Sequence, residues 1–226
     1  MYSAEYQDIG LIEYKKAWDY QDELHAQVLK NRENATSTDS LGYIIFCEHP
    51  HVYTLGNSGN NSNLLISDEM LQRINATYYK TNRGGDITYH GPGQIVGYPI
   101  LDLQKLNMGI KNYIYNIEEA IIQTLSDYSI TAERLEGATG VWLDSSHPSK
   151  ARKICAIGVR VSHWISMHGF AFNINTDLNY FNYINPCGFK DKGVTSLQKE
   201  LGHPIQIEEV KTKLLNHFTH LFNIKT

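Results

Sequence analysis

A chain of 226 residues with 42% hydrophobic and 19% charged residues has the balance of a globular protein able to bury a sizeable core. Its net charge of −4 and pI near 6.2 exclude bulk attraction to nucleic acid, and no long basic run supplies a substitute. Without a membrane-length apolar run, a basic or apolar leader in MYSAEYQDIG, or more than three scattered cysteines, a cytoplasmic chain with reduced thiols, no membrane span and no disulfide framework is expected.

In chain order, Tyr14, Ala17, Trp18, Gln21, Leu24 and Val28 recur at helical spacing and predict a helix over Glu13 to Asn31. The β-forming run Leu41 to Cys47 predicts a buried strand, and Glu48 to Gly56 leads into a second extended segment. Asn57 to Asn63 is expected as a surface loop. Ser67 is a candidate N-cap for a short helix ending near Asn75, with Asp68 and Glu69 complementing its dipole. Tyr78 to Lys80 and Gln94 to Leu103 are expected as strands, and Ile110 to Leu125 carries the clearest amphipathic period in the chain. Gly140 to Leu143 and Lys153 to Val161, separated by the polar turn Asp144 to Lys150, predict a hairpin, with another short strand over Phe170 to Ile174. Thr195 and Gln198 form a capping-box pattern for a helix closed by Gly202, and Val210, Leu214, Phe218 and Leu221 mark a C-terminal helix. Helices interspersed among groups of strands indicate an α/β or α+β fold.

The stretch NRGGDITYHGPGQIVGYPI, Asn82 to Ile100, concentrates glycine beside Arg83, Thr88, His90 and Gln94. Glycine lets the main chain turn at positive φ or approach a bulky group closely, and two turns flanking a short strand would satisfy the same pattern. A phosphate loop of the G-x-x-x-x-G-K-[ST] type and a G-x-G-x-x-G dinucleotide unit are both absent, so nothing here supports ATP binding. H-E-x-x-H and C-x-x-C are absent too; His90 has the spacing of no metal signature and is expected to orient a loop or contact substrate.

Taken whole, R-G-G-x-x-T-Y-H-G-P-G-Q followed by G-Y-P resembles the signature of the octanoyltransferase family, the lipoyl(octanoyl) transferases of lipoate-protein ligase B type. Four further segments match that family in order. They are Glu48 to Gly56, with His51 where the family has proline; Lys153 to Gly158 with Arg160; His168 to Asn173; and Asn185-Pro186-Cys187-Gly188. The resemblance implies a single catalytic domain over 1–226 with the biotin/lipoate ligase fold, a large mixed sheet flanked by helices with a smaller sheet beside it. It implies transfer of octanoyl from octanoyl-acyl carrier protein to a lysine of lipoyl domains, those of 2-oxoacid dehydrogenase complexes and of the glycine cleavage H protein. No cofactor is implied, because octanoyl-phosphopantetheine arrives on the carrier; a monomer is expected.

Residue by residue, the resemblance makes Cys187 the nucleophile and Lys153 its partner. On the residues alone, Cys187 in a Pro-Cys-Gly turn could equally be inert packing, and Lys153 in Lys150-Ala-Arg-Lys153 a solvated turn residue. A thiol suits thioester exchange but is mostly protonated at neutral pH, a problem that a nearby ammonium would relieve. Arg83, Gly84, Gly85, Asp86, Ile87, Thr88, Tyr89 and His90, with Ala156, Ile157 and Gly158 and with Gly169, Phe170 and Ala171, are implied to line the acyl tunnel. Backbone amides near Gly158 or at Gly84-Gly85 are candidate oxyanion donors. Cys155, two residues from Lys153 on one face of a regular strand, is the rival thiol, expected with Cys47 as packing. Lys150, Arg152, Arg160, Lys190 and Lys192 are candidates for a patch steering an acidic carrier. The competing readings are an ATP-dependent lipoate ligase, against which the cysteine motif argues, and a non-catalytic carrier-binding or lipoyl-domain-binding protein.

Overall fold

The computed structural model describes residues 1–34, 39–185 and 192–226. The strands are β1 (Tyr2–Leu11), β2 (Ser40–Glu48), β3 (Val52–Leu55), β4 (Thr77–Lys80), β5 (Ile87–His90), β6 (Gln94–Leu101), β7 (Glu133–Arg134), β8 (Val141–Leu143), β9 (Arg152–Ser162), β10 (Ile165–Asn173), β11 (Gly193–Val194) and β12 (Ile224–Lys225). The helices are α1 (Tyr14–Glu33), α2 (Asp68–Arg73), α3 (Ile110–Ser126), α4 (Leu197–Leu201) and α5 (Ile207–Phe222).

Most strands join one mixed sheet in the order β12-β1-β2-β6-β10-β9-β8-β7, with β11 parallel to the start of β9. Strand alternation sorts its side chains between two layers. Ile44 and Phe46 of β2 face the core built with Tyr113, Ile117 and Ile121 of α3 and Val210, Leu214 and Phe218 of α5. Ile45 and Cys47, one residue out of phase, meet Ala17, Leu24 and Val28 of α1 on the other face. A second sheet, β4-β3-β5, carries its own cluster around Tyr53, Leu55, Ile87 and Tyr89. The expected pairing of a large mixed sheet, flanking helices and a smaller sheet is the architecture observed.

The expected hairpin is present as β8 against β9, but its register is broken. Val141 pairs with Cys155 and Trp142 with Lys153, so β9 carries one extra residue, Ile154, at a bulge. Alternation therefore does not hold across 153–155, and both Ile154 and Cys155 are fully buried.

Three other expectations change. Strand β1 was not expected, because Ser3, Glu5, Gln7 and Asp8 leave its apolar alternation at Tyr2, Ala4 and Tyr6 short and weak; it is held by parallel pairing to β2 and β12. Strand β10 begins at Ile165 rather than Phe170, since β9 and β10 are joined by a two-residue turn with His163 and Trp164 at φ of 52° and 60°. The cap of α4 is Ser196, which accepts from the Lys199 amide, not Thr195, whose hydroxyl donates to Glu200. Gly202 closes that helix at φ 80°, as its position predicts.

Candidate active site

A cavity of about 310 Å³ lies between β9–β10 of the large sheet and the loop-and-strand segment ending in β5. On one side are Ala156, Ile157, Gly158, Gly169, Phe170 and Ala171, brought together by antiparallel register: Ala171 pairs with Ala156, Phe170 with Ile157 and Gly169 with Gly158. Facing them are Arg83, Gly85, Asp86, Ile87, Thr88 and His90. Two expected lining residues are not on this wall. Tyr89 points into the small-sheet cluster, stacked on Tyr180 at 4.9 Å, because alternation along β5 turns it away from its neighbours Thr88 and His90. Gly84 uses its amide to bind the Val159 carbonyl at 2.9 Å, which also removes it from the candidate oxyanion donors.

The glycines serve close approach. A Cβ on Gly158 would stand 2.7 Å from the Gly84 carbonyl and push the walls apart, and one on Gly169 would stand 2.1 Å from the Gly97 carbonyl and force β10 from β6 within the sheet.

The wall formed by the glycine-rich stretch is fixed by a buried polar chain. Arg83, only 7% exposed, donates to the carbonyls of Thr54, Asp86 and Gly84 at 2.6, 2.8 and 2.9 Å. It also donates to the Thr54 hydroxyl, leaving that hydroxyl to donate to His90 Nε2 at 3.2 Å. His90 Nδ1 then donates to Gln94 Oε1 at 3.0 Å, Gln94 to Asn173 Oδ1 at 2.9 Å, and Asn173 to the Thr195 carbonyl at 3.0 Å. Burial, reinforced by His49 and Arg83, holds His90 well below the usual histidine range, so the ring is neutral. This positioning is the loop-orienting alternative for His90, and its ring also borders the cavity.

At the opposite rim, Lys153 borders the cavity beside Thr139 and Val194. Its Nζ donates to the Thr139 carbonyl at 3.1 Å and stands 4.7 Å from the centre of the Trp142 ring, a cation–π contact. Cys187 and its neighbours Pro186 and Gly188 lie outside the described residues, as does Lys190. The other two thiols are packing residues. Cys47 and Cys155 are fully buried, and burial drives both well above the usual thiol range, in Cys155 against the lowering effect of Lys153. Arg152, one of the proposed patch cations, is already engaged by Glu200 and Asp144.

Several lining residues escaped the sequence reading. Tyr14, Tyr98 and His168 close the cavity from α1, β6 and β10. Tyr14 stacks on His90 at 5.8 Å, and burial pushes its phenol up to about 12 despite the lowering charge of Arg83. The signal for Tyr14 was present, since it opens the predicted apolar face of α1, but core and cavity walls look alike in a helical period. His168 sits at φ 55° with its Nε2 on Asn82 at 2.7 Å, and burial lowers it to about 3. Among the described residues no cluster of three His, Cys, Asp or Glu is arranged to hold a metal ion, and no helix is long and apolar enough to cross a membrane.

A model of the lipoyl protein ligase A/B catalytic domain matches residues 13–219. Octanoyltransferases of Christiangramia forsetii and Flavobacterium psychrophilum are 56% and 57% identical to the chain, spanning 97% and 96% of it and 95% of their own lengths. An octanoyltransferase of Cytophaga hutchinsonii is 51% identical over 96% of the chain and 92% of its own length. Among solved structures, a bi-partite lipoate protein ligase of Thermoplasma acidophilum superposes with a TM-score of 0.71 at 13% identity, covering 100% of this chain and 86% of that one. A biotin protein ligase of Aquifex aeolicus does so with a TM-score of 0.52 at 12% identity, covering 99% and 70%. The structural likeness establishes a fold common to lipoate and biotin ligases, and the sequence identity goes further: the chain belongs to the octanoyltransferases of the lipoyl protein ligase A/B catalytic-domain family.

Proposed function

We propose that this acyltransferase moves an octanoyl group from octanoyl-acyl carrier protein to a lysine of a lipoyl domain through a thioester on Cys187. The observation that carries the reading is the pairing of a largely apolar cavity with the Lys153 ammonium on its rim, in a chain more than half identical to curated octanoyltransferases. The cavity volume lies near the lower end of the range for small-ligand sites, roughly 300–1,000 Å³, which suits a medium-length acyl chain. Each methylene enclosed contributes about 0.8 kcal/mol.

In the first half-reaction the Cys187 thiolate attacks the thioester carbonyl carbon. The C–S bond to phosphopantetheine breaks, and the departing thiolate takes a proton. In the second, a neutral acceptor lysine amine attacks the acyl-enzyme, the C–S bond to Cys187 breaks and the amine nitrogen releases a proton as the amide forms. Lys153 stabilises the thiolate electrostatically and handles protons in both halves, a role worth roughly 10²–10⁴-fold. Thioester to amide is downhill, so the cycle requires neither ATP nor another cofactor. Lipoyl-domain docking is supported by the Thermoplasma ligase, which was solved as a lipoylation system with its E2 lipoyl domain. The chain acts as a monomer in the cytoplasm in this reading.

Intact mass spectrometry after mixing with octanoyl-acyl carrier protein, without ATP, tests it. An octanoyl adduct on the wild type and none on Cys187→Ala is expected. No adduct on wild type, or an adduct on both, overturns the acyl-enzyme at Cys187.

A further inference from the structure

Among the buried side chains of α3, Glu118 is the one charged group, 7% exposed among Ile117, Ala120 and Ile121; the buried Thr124 hydroxyl is satisfied within the helix by the Ala120 carbonyl. A buried carboxylate is costly unless its oxygens are satisfied. Here Oε2 accepts from Arg134 Nε at 3.0 Å, and Oε1 accepts from the Gly140 amide at 3.0 Å. Gly140 N–H and Thr139 C=O belong to one peptide unit. In a trans peptide they point in opposite directions, so the plane that offers its N–H to Glu118 offers its carbonyl the other way, to Lys153 Nζ at 3.1 Å.

We propose that Glu118 is a positioning residue for Lys153, acting through the Thr139–Gly140 peptide to aim that carbonyl at the ammonium and strengthen it as an acceptor. Hydrogen bonds in series polarise one another, and a carboxylate on the N–H makes the carbonyl oxygen more negative. The loop is otherwise locked: the Ala138 carbonyl accepts from Trp142 Nε1 at 2.8 Å, and the Ala138 amide donates to the Leu135 carbonyl at 3.0 Å. Gly140 admits the arrangement because it sits at φ 126° with the Cys155 carbonyl 2.5 Å from where a Cβ would be. The charged and titratable groups facing this relay are Arg134, which also binds Glu119 at 2.7 Å and stacks on Tyr115, and the neutral thiol of Cys155, whose titration feels both Lys153 and Glu118. Glu118 touches neither cavity nor substrate, and the proposal rests on the reading of Lys153 as the partner of Cys187.

The test is the pH dependence of Cys187 alkylation by iodoacetamide, with octanoyl-transfer kinetics, in wild type, Glu118→Gln and Lys153→Ala. Glu118→Gln keeps an acceptor for Gly140 but removes the charge. Its alkylation midpoint should rise by about one pH unit and kcat at neutral pH fall about tenfold, because the thiolate fraction below the midpoint changes tenfold per unit. KM for the donor should stay unchanged. A midpoint and kcat equal to wild type, with Lys153→Ala still inactive, overturns the relay and leaves the dyad standing; wild-type activity in Lys153→Ala overturns both. If Glu118→Gln does not fold, the Gly140 amide resonance is compared between wild type and folded Lys153→Met. It should move upfield when the carbonyl loses its cation, and an unmoved resonance overturns the coupling.

Discussion

The two walls of the cavity are built on opposite principles. The β9–β10 wall is small and apolar, and it owes its shape to register: Ala, Gly, Ile and Phe face one another because two long strands pair residue by residue. The facing wall is a glycine-rich loop running into β5, held by a buried cation and a neutral histidine through a hydrogen-bonded chain from Arg83 by way of Thr54, His90, Gln94 and Asn173 to Thr195. A chain that must enclose methylenes yet keep a carbonyl near donors needs both. The first wall supplies mainly apolar burial, and the second, Ile87 apart, mainly direction.

The comparison breaks most sharply at Arg83. Arg83→Ala leaves the Thr54, Asp86 and Gly84 carbonyls without their donor, and about 3 kcal/mol or more of stability should be lost along with nearly all transfer activity. Urea unfolding and single-turnover kinetics check this; a midpoint at the wild-type value would mean that the polar wall is not held by the guanidinium. Gly169→Ala attacks the other wall through volume alone. Its Cβ would meet the Gly97 carbonyl, and overpacking of this kind costs about 1–3 kcal/mol, measurable as a lower thermal midpoint.

Ala171→Leu sharpens rather than breaks the contrast. Added methyl groups occupy space that the acyl chain would otherwise fill, and at about 0.8 kcal/mol per methylene the preference should move toward shorter chains by roughly tenfold. Competition between hexanoyl and octanoyl donors reads this directly, and an unaltered ratio would remove Ala171 from the tunnel.

An effect that is absent at neutral pH concerns proton binding on the α1 side of the polar wall. His49, buried and donating to the Ile12 carbonyl while accepting from the Tyr98 hydroxyl, is lowered by burial to about 4. Its folded value lies below the unfolded value of about 6.5. The unfolded chain therefore binds the extra proton, and the contribution of the neutral ring is full above about pH 6.5 and lost as pH falls toward 4. His168, lowered to about 3, acts in the same direction. Stability should decline across that window, and His49→Gln should make the decline shallower. Unfolding curves at about pH 7, 5.5 and 4.5 test it.

Legibility in the sequence followed the same division. Helices α1, α3 and α5 and the strands β2 and β6 were readable because periodic burial writes itself into the residue order. Glycines opposite Phe170 and Gly84 were visible as glycines, but the neighbours that require them lie far along the chain. His90 was visible as a motif residue, whereas its partners Thr54, Gln94 and Asn173 had no common pattern until the two sheets met. Tyr89 was misplaced because a motif gives membership, not direction. Lys153 and Cys187 drew their roles from resemblance, and the contact of Lys153 with Thr139 was not readable, since a bulge set it.

That bulge has an implication for how the gene can change. Because β9 carries one residue more than β8 at Ile154, the side of the sheet on which Lys153 emerges depends on a count rather than on a residue type. Exchange of Ile154 for another apolar residue conserves the count. Loss of the Ile154 codon would remove the bulge and leave Lys153 paired with Trp142 on its present face, whereas loss of a codon elsewhere in β9 shifts the register by one residue and turns the side chains on one side of the gap to the other face, so this strand tolerates misspelling far better than shortening.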